Sequence, residues 1–283
     1  MATLRIPDAT GGRPVNVRLE IAIAAARAGG DALRLRAADM GRIRTKSTAF
    51  DMVTEADIAS GVAVVRSVAA SIADARFVVE EPEVYSLAGV VRGELDDPEV
   101  WVIDPLDGTT SFIHGYPCYS VSVACLSYGQ PVVGAVYNVP ADEMTYASLG
   151  EGAFLNGRRL QCASTEEIRQ SLIITGFPYD RTITLDKQLR VFGHLMREVH
   201  DIRRDGSSAI DCCHVAAGRA DAFWEFGLMP WDLSAGVLIL REVGAVITGL
   251  NGEEWTVDVS DVCAANPVLH TELLAAIQRG LRG

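Results

Sequence analysis

The chain has 283 residues, of which 49% are hydrophobic and 22% are charged, and its formal net charge is -12. This composition is typical of a soluble globular protein, and the sequence holds no run of about eighteen apolar residues that would predict a membrane-spanning helix. The negative charge repels nucleic acid and anionic lipid, so we expect neither nucleic acid nor membrane as a partner.

The first 13 residues lack the apolar stretch of a secretory signal, which predicts a cytoplasmic protein. Six cysteines occur without a C-x-x-C pair and without histidines at zinc-finger spacing. They predict buried, reduced thiols and no zinc site.

In chain order, the N-terminal half begins with helical periodicity and continues with short apolar runs. The spacing predicts one helix within Val15–Met40, with Gly29 and Gly30 as a weak point, and a second over Glu55–Ala73. Asn156-Gly157 predicts a two-residue hairpin. Strands are predicted at Phe77–Val79, Trp101–Ile103, Tyr119–Leu126, Val132–Val136 and Thr145–Ala147.

The second half mixes both patterns, and no linker separates it from the first. Strands are predicted at Leu172–Thr175, Ala222–Glu225 and Ala245–Thr248, and helices at Asp186–Val199, Ser207–Ala217 and Leu233–Val243. We expect an α/β (α+β) fold of layered helices and mixed sheets. It would form one unit over residues 1–283, with an N-terminal half of about 1–155, a C-terminal half of about 156–283 and a cleft between them.

The segment from Trp101 to Thr110 carries the strongest chemical signal. An apolar strand ends there in two carboxylates, Asp104 and Asp107, which could share hard cations. Gly108 would let a ligand approach the main chain, and Thr109 and Thr110 would cap a helix whose free N–H groups favour phosphate. The same residues are also typical of a surface turn, so the segment alone does not establish a site.

Three further acidic segments strengthen this interpretation. Glu80 and Glu81 end another apolar strand and would aim one carboxylate inward and the other away. Asp232 would be the N-cap of an apolar helix, and Asp57 would lie in a first turn capped by Thr54. Alone, each has an ordinary explanation as a solvated strand end or a helix cap.

In order and in type, these segments resemble the signature of the inositol monophosphatase family. The resemblance is carried by V-T-x-x-D at Val53–Asp57, the paired Glu80 and Glu81, D-P-[IL]-D-G-T-T-x-F at Asp104–Phe112 and W-D-x-x-A-G at Trp231–Gly236. It implies a layered αβαβα sandwich. It also implies a magnesium-dependent, lithium-sensitive homodimer that hydrolyses inositol monophosphate through in-line attack of a metal-activated water.

The resemblance also implies roles for individual residues. Two to three Mg²⁺ ions would be held by Glu80, Asp104, the carbonyl of Leu106, Asp107 and Asp232. Catalysis would use Asp57, Glu80 and Thr109, with Thr109 and Asp57 orienting the attacking water. The small phosphorylated polyol or sugar would be held by Gly108, Thr109, Ser207, Ser208 and Glu225.

Other readings stay open at this point. Fructose 1,6-bisphosphate would need basic residues such as Arg181, Arg203 and Arg204, and 3'-phosphoadenosine 5'-phosphate would need an aromatic platform such as Phe223 and Trp224. Histidinol phosphate is a third candidate ester. A non-catalytic binding or regulatory protein could keep the same fold.

Outside the four segments, Lys46 lies on a segment that in the family forms a mobile loop near the third metal. A surface lysine in a polar loop is the simpler interpretation. The chain departs from the family pattern at Val79, Pro82 and Ser111, while the acids themselves are present.

Overall fold

The computed structural model of the chain describes residues 16–37, 43–46, 52–178 and 184–282. Its helices are α1 Val17–Arg36, α2 Glu55–Ala69, α3 Glu83–Ala88, α4 Thr109–Ile113, α5 Leu185–Leu195, α6 Ser208–Ala216, α7 Pro230–Glu242 and α8 Pro267–Arg282. Its strands are β1 Ile43–Thr45, β2 Met52–Thr54, β3 Arg76–Val79, β4 Val91–Arg92, β5 Val100–Asp107, β6 Ser120–Ser127, β7 Gln130–Asn138, β8 Glu143–Ser148, β9 Gly152–Leu155, β10 Arg158–Arg159, β11 Leu172–Thr175, β12 Asp201–Arg203, β13 Ala222–Glu225, β14 Val246–Thr248 and β15 Val262–Ala265.

The strands form two main sheets and one small ribbon. The larger sheet has the order β10-β9-β8-β7-β6-β5-β3-β4, the smaller has the order β12-β11-β13-β15-β14, and β1 pairs with β2. Helices α1 and α2 pack on the outer face of the larger sheet, α6 and α7 lie between the sheets, and α8, packed on α5, contacts the outer side of the smaller sheet. The expected layered αβαβα arrangement is confirmed.

Three apolar clusters hold the five layers together, and the central cluster packs α6 and α7 against both sheets. Trp101 and Ile103 of β5 join the cluster under α1 and α2, whereas Val102 joins the central one. In the smaller sheet Phe223 faces the central cluster and Trp224 the outer one. Successive side chains of a strand point to opposite faces, and here both faces are covered, so these strands are apolar throughout.

The glycine pair in α1 corrects one prediction. The helix runs unbroken through Gly29 and Gly30, and both glycines are buried. A Cβ at Gly29 would lie 2.6 Å from Val64 Cγ2, and one at Gly30 would lie 2.5 Å from the ring of Tyr137. The pair is therefore a close-packing surface, and the prediction of a weak point was wrong.

Most other predicted elements lie within a few residues of their observed positions. The Asn156-Gly157 hairpin is confirmed by antiparallel β9 and β10, with φ of 47° and 82° at its two central residues. Helix α2 ends at Ala69, short of the predicted Ala73. Among the described helices, none is long and apolar enough to cross a membrane.

Candidate active site

Strand β5 carries two of the predicted acids at its end. Its pairing with β6 shifts register between Asp104 and Asp107, and the main-chain N–H of Leu106 donates to Asp104 Oδ1 at 3.0 Å. Gly108 follows with φ of 96°, and a Cβ there would lie 2.8 Å from the carbonyl oxygen of Cys118. Gly108 is thus the N-cap of α4 and Thr109 its first residue, so the prediction that threonine caps this helix was wrong.

The carboxylate of Asp104 is the centre of an acidic group. It lies within hydrogen-bonding reach of Glu80 and of Asp232, although these residues come from β5, the end of β3 and α7. Burial raises the pKa of Asp104 well above its usual range, and the negative charges of Glu80, Asp107 and Asp232 raise it further. Among the described residues, the charged groups that act most strongly on Asp104 are thus all acids.

Asp232 reaches this group from the third residue of α7. Met229 is the N-cap of that helix, and its N–H donates to Asp232 Oδ2 at 2.7 Å. The prediction that Asp232 itself is the N-cap was wrong by three residues. Burial raises the pKa of Asp232, and the charges of Asp107 and Glu80 add to that rise.

Asp107 is held by the start of α6. Its Oδ2 accepts hydrogen bonds from Ser207 Oγ at 2.7 Å, the N–H of Ala209 at 2.8 Å and Ser208 Oγ at 3.4 Å. Burial outweighs these bonds and raises the pKa of Asp107 to about 6. The hydroxyls of Ser207 and Ser208 are therefore engaged with Asp107, and their contact with substrate stays a prediction.

Asp57 and Thr109 form a separate buried pair beside the acidic group. Thr54 caps α2 and donates both its N–H and its hydroxyl to Asp57 Oδ2, at 2.7 and 2.6 Å. Thr109 Oγ1 lies 3.0 Å from Asp57 Oδ1 and 3.1 Å from the carbonyl oxygen of Leu106. Burial raises the pKa of Asp57. The predicted cap at Thr54 and first-turn position of Asp57 are confirmed.

Lys46 contacts both acids at the end of β3. Its Nζ lies 2.6 Å from Glu80 Oε1 and 2.5 Å from Glu81 Oε1, so the two carboxylates converge and do not point apart as predicted. Burial, with the nearby charge of Glu80, raises the pKa of Glu81 to about 7 despite Lys46. The interpretation of Lys46 as a surface residue was also wrong, because its side chain is only 22% exposed.

Of these residues, Lys46, Glu80, Asp107 and Asp232 line a pocket of about 370 Å³. Glu225, at the end of β13, is buried in its wall, and burial together with the charges of Asp232 and Asp107 raises its pKa. The residues that line the pocket are Lys46, Glu80, Asp107, Gly176, Phe177, Pro178, Arg204, Gly206, Ser207, Ser208, Asp211, Glu225, Gly227, Leu228, Met229, Trp231 and Asp232.

The residues that favoured other esters lie elsewhere or outside the described ranges. Phe223 and Trp224 are fully buried in the apolar clusters and offer no platform to a base. Arg203 is paired with Asp201, and Arg181 lies outside the described residues. Arg204 lies in the pocket wall.

The pocket residues Asp211 and Gly176 were not singled out from the sequence. Asp211 is buried in α6, where an acid within an apolar helical run is itself an unusual signal. Gly176 follows β11, and a Cβ there would lie 2.2 Å from Glu225 Oε1, a closeness that no local pattern reveals.

The donor set fits a hard divalent cation. The side chains that converge on Asp104 supply only carboxylate oxygens, and the pKa of each of Asp104, Asp107 and Asp232 is raised in the absence of a cation. Such a set suits Mg²⁺ and lacks the nitrogen or sulfur donors typical of zinc. The fold and these acids together define a layered α/β protein with a buried all-oxygen centre of carboxylates.

Comparison with known proteins agrees with that class. The model of the inositol monophosphatase family matches residues 15–282. An inositol-1-monophosphatase of Synechocystis sp. is 38% identical over 92% of this chain and 88% of its own length. The Nus factor SuhB of Pasteurella multocida is 37% identical over 93% of this chain and 97% of its own length. The chain belongs to the inositol monophosphatase family.

A solved relative has the same architecture. The inositol monophosphatase of Anabaena (Nostoc) sp. superposes with a TM-score of 0.81 at 35% identity, over 93% of this chain and 95% of that one.

Proposed function

We propose that this protein is a magnesium-dependent phosphomonoesterase that hydrolyses inositol monophosphate. One observation carries the proposal: Asp104 lies within reach of Glu80 and Asp232, beside the buried pair of Thr109 and Asp57. The family acts on small phosphorylated substrates, and an acidic protein needs cations to accept one.

The proposed Mg²⁺ ligands are Glu80, Asp104, the carbonyl of Leu106, Asp107 and Asp232, holding two to three ions. Bound Mg²⁺ supplies Lewis-acid stabilisation of phosphate oxygens and of the leaving oxygen, and it lowers the pKa of water. Ser207 and the N–H of Ala209 hold Asp107 in position for that role.

Thr109 and Asp57 would direct the attacking water. A threonine hydroxyl has one proton, and Thr109 Oγ1 has two acceptors within reach, Asp57 Oδ1 and the carbonyl of Leu106. With the carbonyl of Leu106 in the proposed ligand set, the hydroxyl would donate its hydrogen bond to Asp57, and its lone pairs would accept a hydrogen bond from the water. Thr54 fixes the other carboxylate oxygen of Asp57, so the acceptor keeps its orientation. This arrangement favours attack in line with the ester oxygen.

Glu225 would select the alcohol part of the substrate. Its carboxylate lies in the pocket wall, and a carboxylate accepts hydrogen bonds from two neighbouring hydroxyls of a polyol ring. Gly108 and Thr109 would bind phosphate oxygens through main-chain N–H groups.

Two alternatives define the controls. The pocket contains the aromatic residues Phe177 and Trp231, which are compatible with a nucleotide. It also contains Arg204, which is compatible with a second phosphate. Relatives named Nus factor SuhB keep a non-catalytic role in consideration, although every acid of the proposed ligand set is present.

The test is phosphate release by the purified chain with Mg²⁺ or with EDTA. Substrates are inositol 1-phosphate, fructose 1,6-bisphosphate, 3'-phosphoadenosine 5'-phosphate and histidinol phosphate, with Asp104→Asn as control. We expect Mg²⁺-dependent release, fastest for the inositol ester, that Asp104→Asn abolishes. Fast release from another ester would reassign the substrate. No release from any ester would favour the non-catalytic protein.

The same proposal includes inhibition by lithium, a homodimer, a cytoplasmic location, and one unit of two packed halves with a shared site. The central apolar cluster supports the last point, since it draws Val102 and Phe223 from different halves. Activity with LiCl added under Mg²⁺, and light scattering of the purified chain, measure the first two.

A further inference from the structure

A second group of metal-binding side chains lies at the start of α6, the helix whose first residues hold Asp107. Asp205 precedes the helix, and Asp211 and His214 lie three residues apart on it. One donor atom from each residue lies within 4.8 Å of the other two. None of the three belongs to the proposed Mg²⁺ ligand set.

Asp211 brings an unsatisfied carboxylate to this group. It is 1% exposed, and its Oδ1 has no hydrogen-bond partner among the described residues. A buried carboxylate without donors is costly unless a proton or a cation compensates it. Glu225, Asp205 and Asp107 surround it with further negative charge, and Arg204 opposes them only in part.

His214 is suited to be a ligand rather than an ion-pair partner. Its Nδ1 lies 3.9 Å from Asp205 Oδ2, too far for a hydrogen bond. Burial and the charge of Arg219 lower its pKa, although Asp205 and Glu143 act in the opposite direction. The neutral imidazole is the form that binds metals. The side chains of His214 and Asp205 are 24% and 25% exposed, so an ion can enter from solvent.

We propose that Asp205, Asp211 and His214 bind one borderline divalent transition-metal ion, of which Zn²⁺ is the probe. One imidazole nitrogen with two carboxylate oxygens suits such an ion, whereas the all-oxygen centre suits Mg²⁺. Tetrahedral binding at about 2.1 Å places donor atoms about 3.4 Å apart, so binding would draw these side chains closer together. The ion would compensate Asp211 and fasten the loop before α6.

The experiment is equilibrium dialysis of the full, reduced chain against Zn²⁺ in excess Mg²⁺, which occupies the all-oxygen centre. Zinc-edge X-ray absorption then identifies the donor atoms. The variants are His214→Gln and Asp205→Asn, whose side chains are part-exposed and tolerate the change. His200→Gln, an exposed histidine elsewhere, is the matched control, and Asp104→Asn disables the all-oxygen centre.

We expect one Zn²⁺ per chain, bound through nitrogen and oxygen with one imidazole. Its affinity should fall about tenfold or more in His214→Gln and in Asp205→Asn, and stay unchanged in His200→Gln and Asp104→Asn. Loss of zinc in Asp104→Asn with retention in His214→Gln would overturn the proposal, as would sulfur ligands or no bound zinc. Because Asp104→Asn should abolish hydrolysis without affecting this zinc, the outcome is independent of the proposed phosphatase activity.

Discussion

Asp57 and Asp104 are both buried acids of the candidate site, yet they differ in what compensates their charge. Asp57 accepts three hydrogen bonds from Thr54 and Thr109. Among the described residues, Asp104 accepts one hydrogen bond, from the N–H of Leu106, and otherwise faces other acids. The described residues therefore solvate the first carboxylate and leave the charge of the second uncompensated.

This difference separates two roles that the sequence alone does not distinguish. A carboxylate that the fold saturates with donors is fixed in place and can orient a neighbour. A carboxylate that the fold surrounds with like charge is destabilising until a cation arrives.

The largest effect is expected for Asp104→Asn. Removal of the central negative charge should lower Mg²⁺-dependent phosphate release by roughly 10³-fold or more, comparable to loss of a major electrostatic group. The same variant should no longer gain thermal stability on addition of Mg²⁺, because ligand binding to the native state stabilises it. Retained activity at saturating Mg²⁺ would remove Asp104 from the centre.

Thr109→Val tests the orienting side. The variant keeps the shape of the side chain and loses the hydroxyl that reaches Asp57 and Leu106. We expect kcat to fall roughly 10²-fold while the Mg²⁺ concentration for half-maximal activity changes little. Thr109→Ser, which keeps the hydroxyl, is the matched control and should stay within a few-fold of the parent. Equal losses in both variants would point to packing.

In EDTA, Asp57→Asn and Asp104→Asn should change the free energy of unfolding differently. Asp57→Asn leaves donors without acceptors and should lower the free energy of unfolding by about 1–3 kcal/mol. Asp104→Asn removes like-charge repulsion and should leave that free energy unchanged or raise it. Urea unfolding of both variants measures the difference, and a loss of similar size in both would end the contrast.

Gly176→Ala tests the pocket wall. The added Cβ would meet the carboxylate of Glu225 and displace it. We expect KM for inositol 1-phosphate to rise about tenfold, with kcat much less affected, since a lost polyol contact weakens binding of substrate and transition state alike. Gly193→Ala, where a Cβ meets no neighbour within 4 Å, is the control.

The smallest effect concerns pH without metal. The folded pKa of Asp107 is about 6, against 3.8 for the free side chain, so the metal-free protein holds more protons than the unfolded chain between those values. Stability in EDTA should therefore fall as pH rises from about 4 to about 6, lowering Tm by a few degrees. Asp107→Asn should flatten that decline, and Mg²⁺ should oppose it because metal binding favours ionised ligands.

The sequence was sufficient to predict the strands that carry the acids and to single out the acids that the structure brings together. Asp104 and Asp107 follow an apolar run, and the Asn156-Gly157 turn specifies its hairpin locally. What it could not supply is the set of contacts between distant segments. The pairing of Lys46 with Glu80 and Glu81, and of Ser207 with Asp107, joins residues that no periodicity relates.

Two features were missed for a related reason. Strand β15 at Val262–Ala265 becomes evident only as a partner within the smaller sheet. The same holds for Gly29 and Gly30, whose effect on α1 depends on Val64 and Tyr137 and not on intrinsic helix propensity. Helix α8 at Pro267–Arg282 was also not predicted, although its buried positions recur at helical spacing.

The acids come from the larger sheet, from α2 and from the helix between the sheets. No short segment of the chain therefore contains the whole centre. Asp57 and Asp232 lie 175 residues apart in sequence. Such distant partners are brought together late in folding, since long loops must close first. The proposed phosphatase activity should therefore require complete folding, and nascent or partly folded chains should release no phosphate.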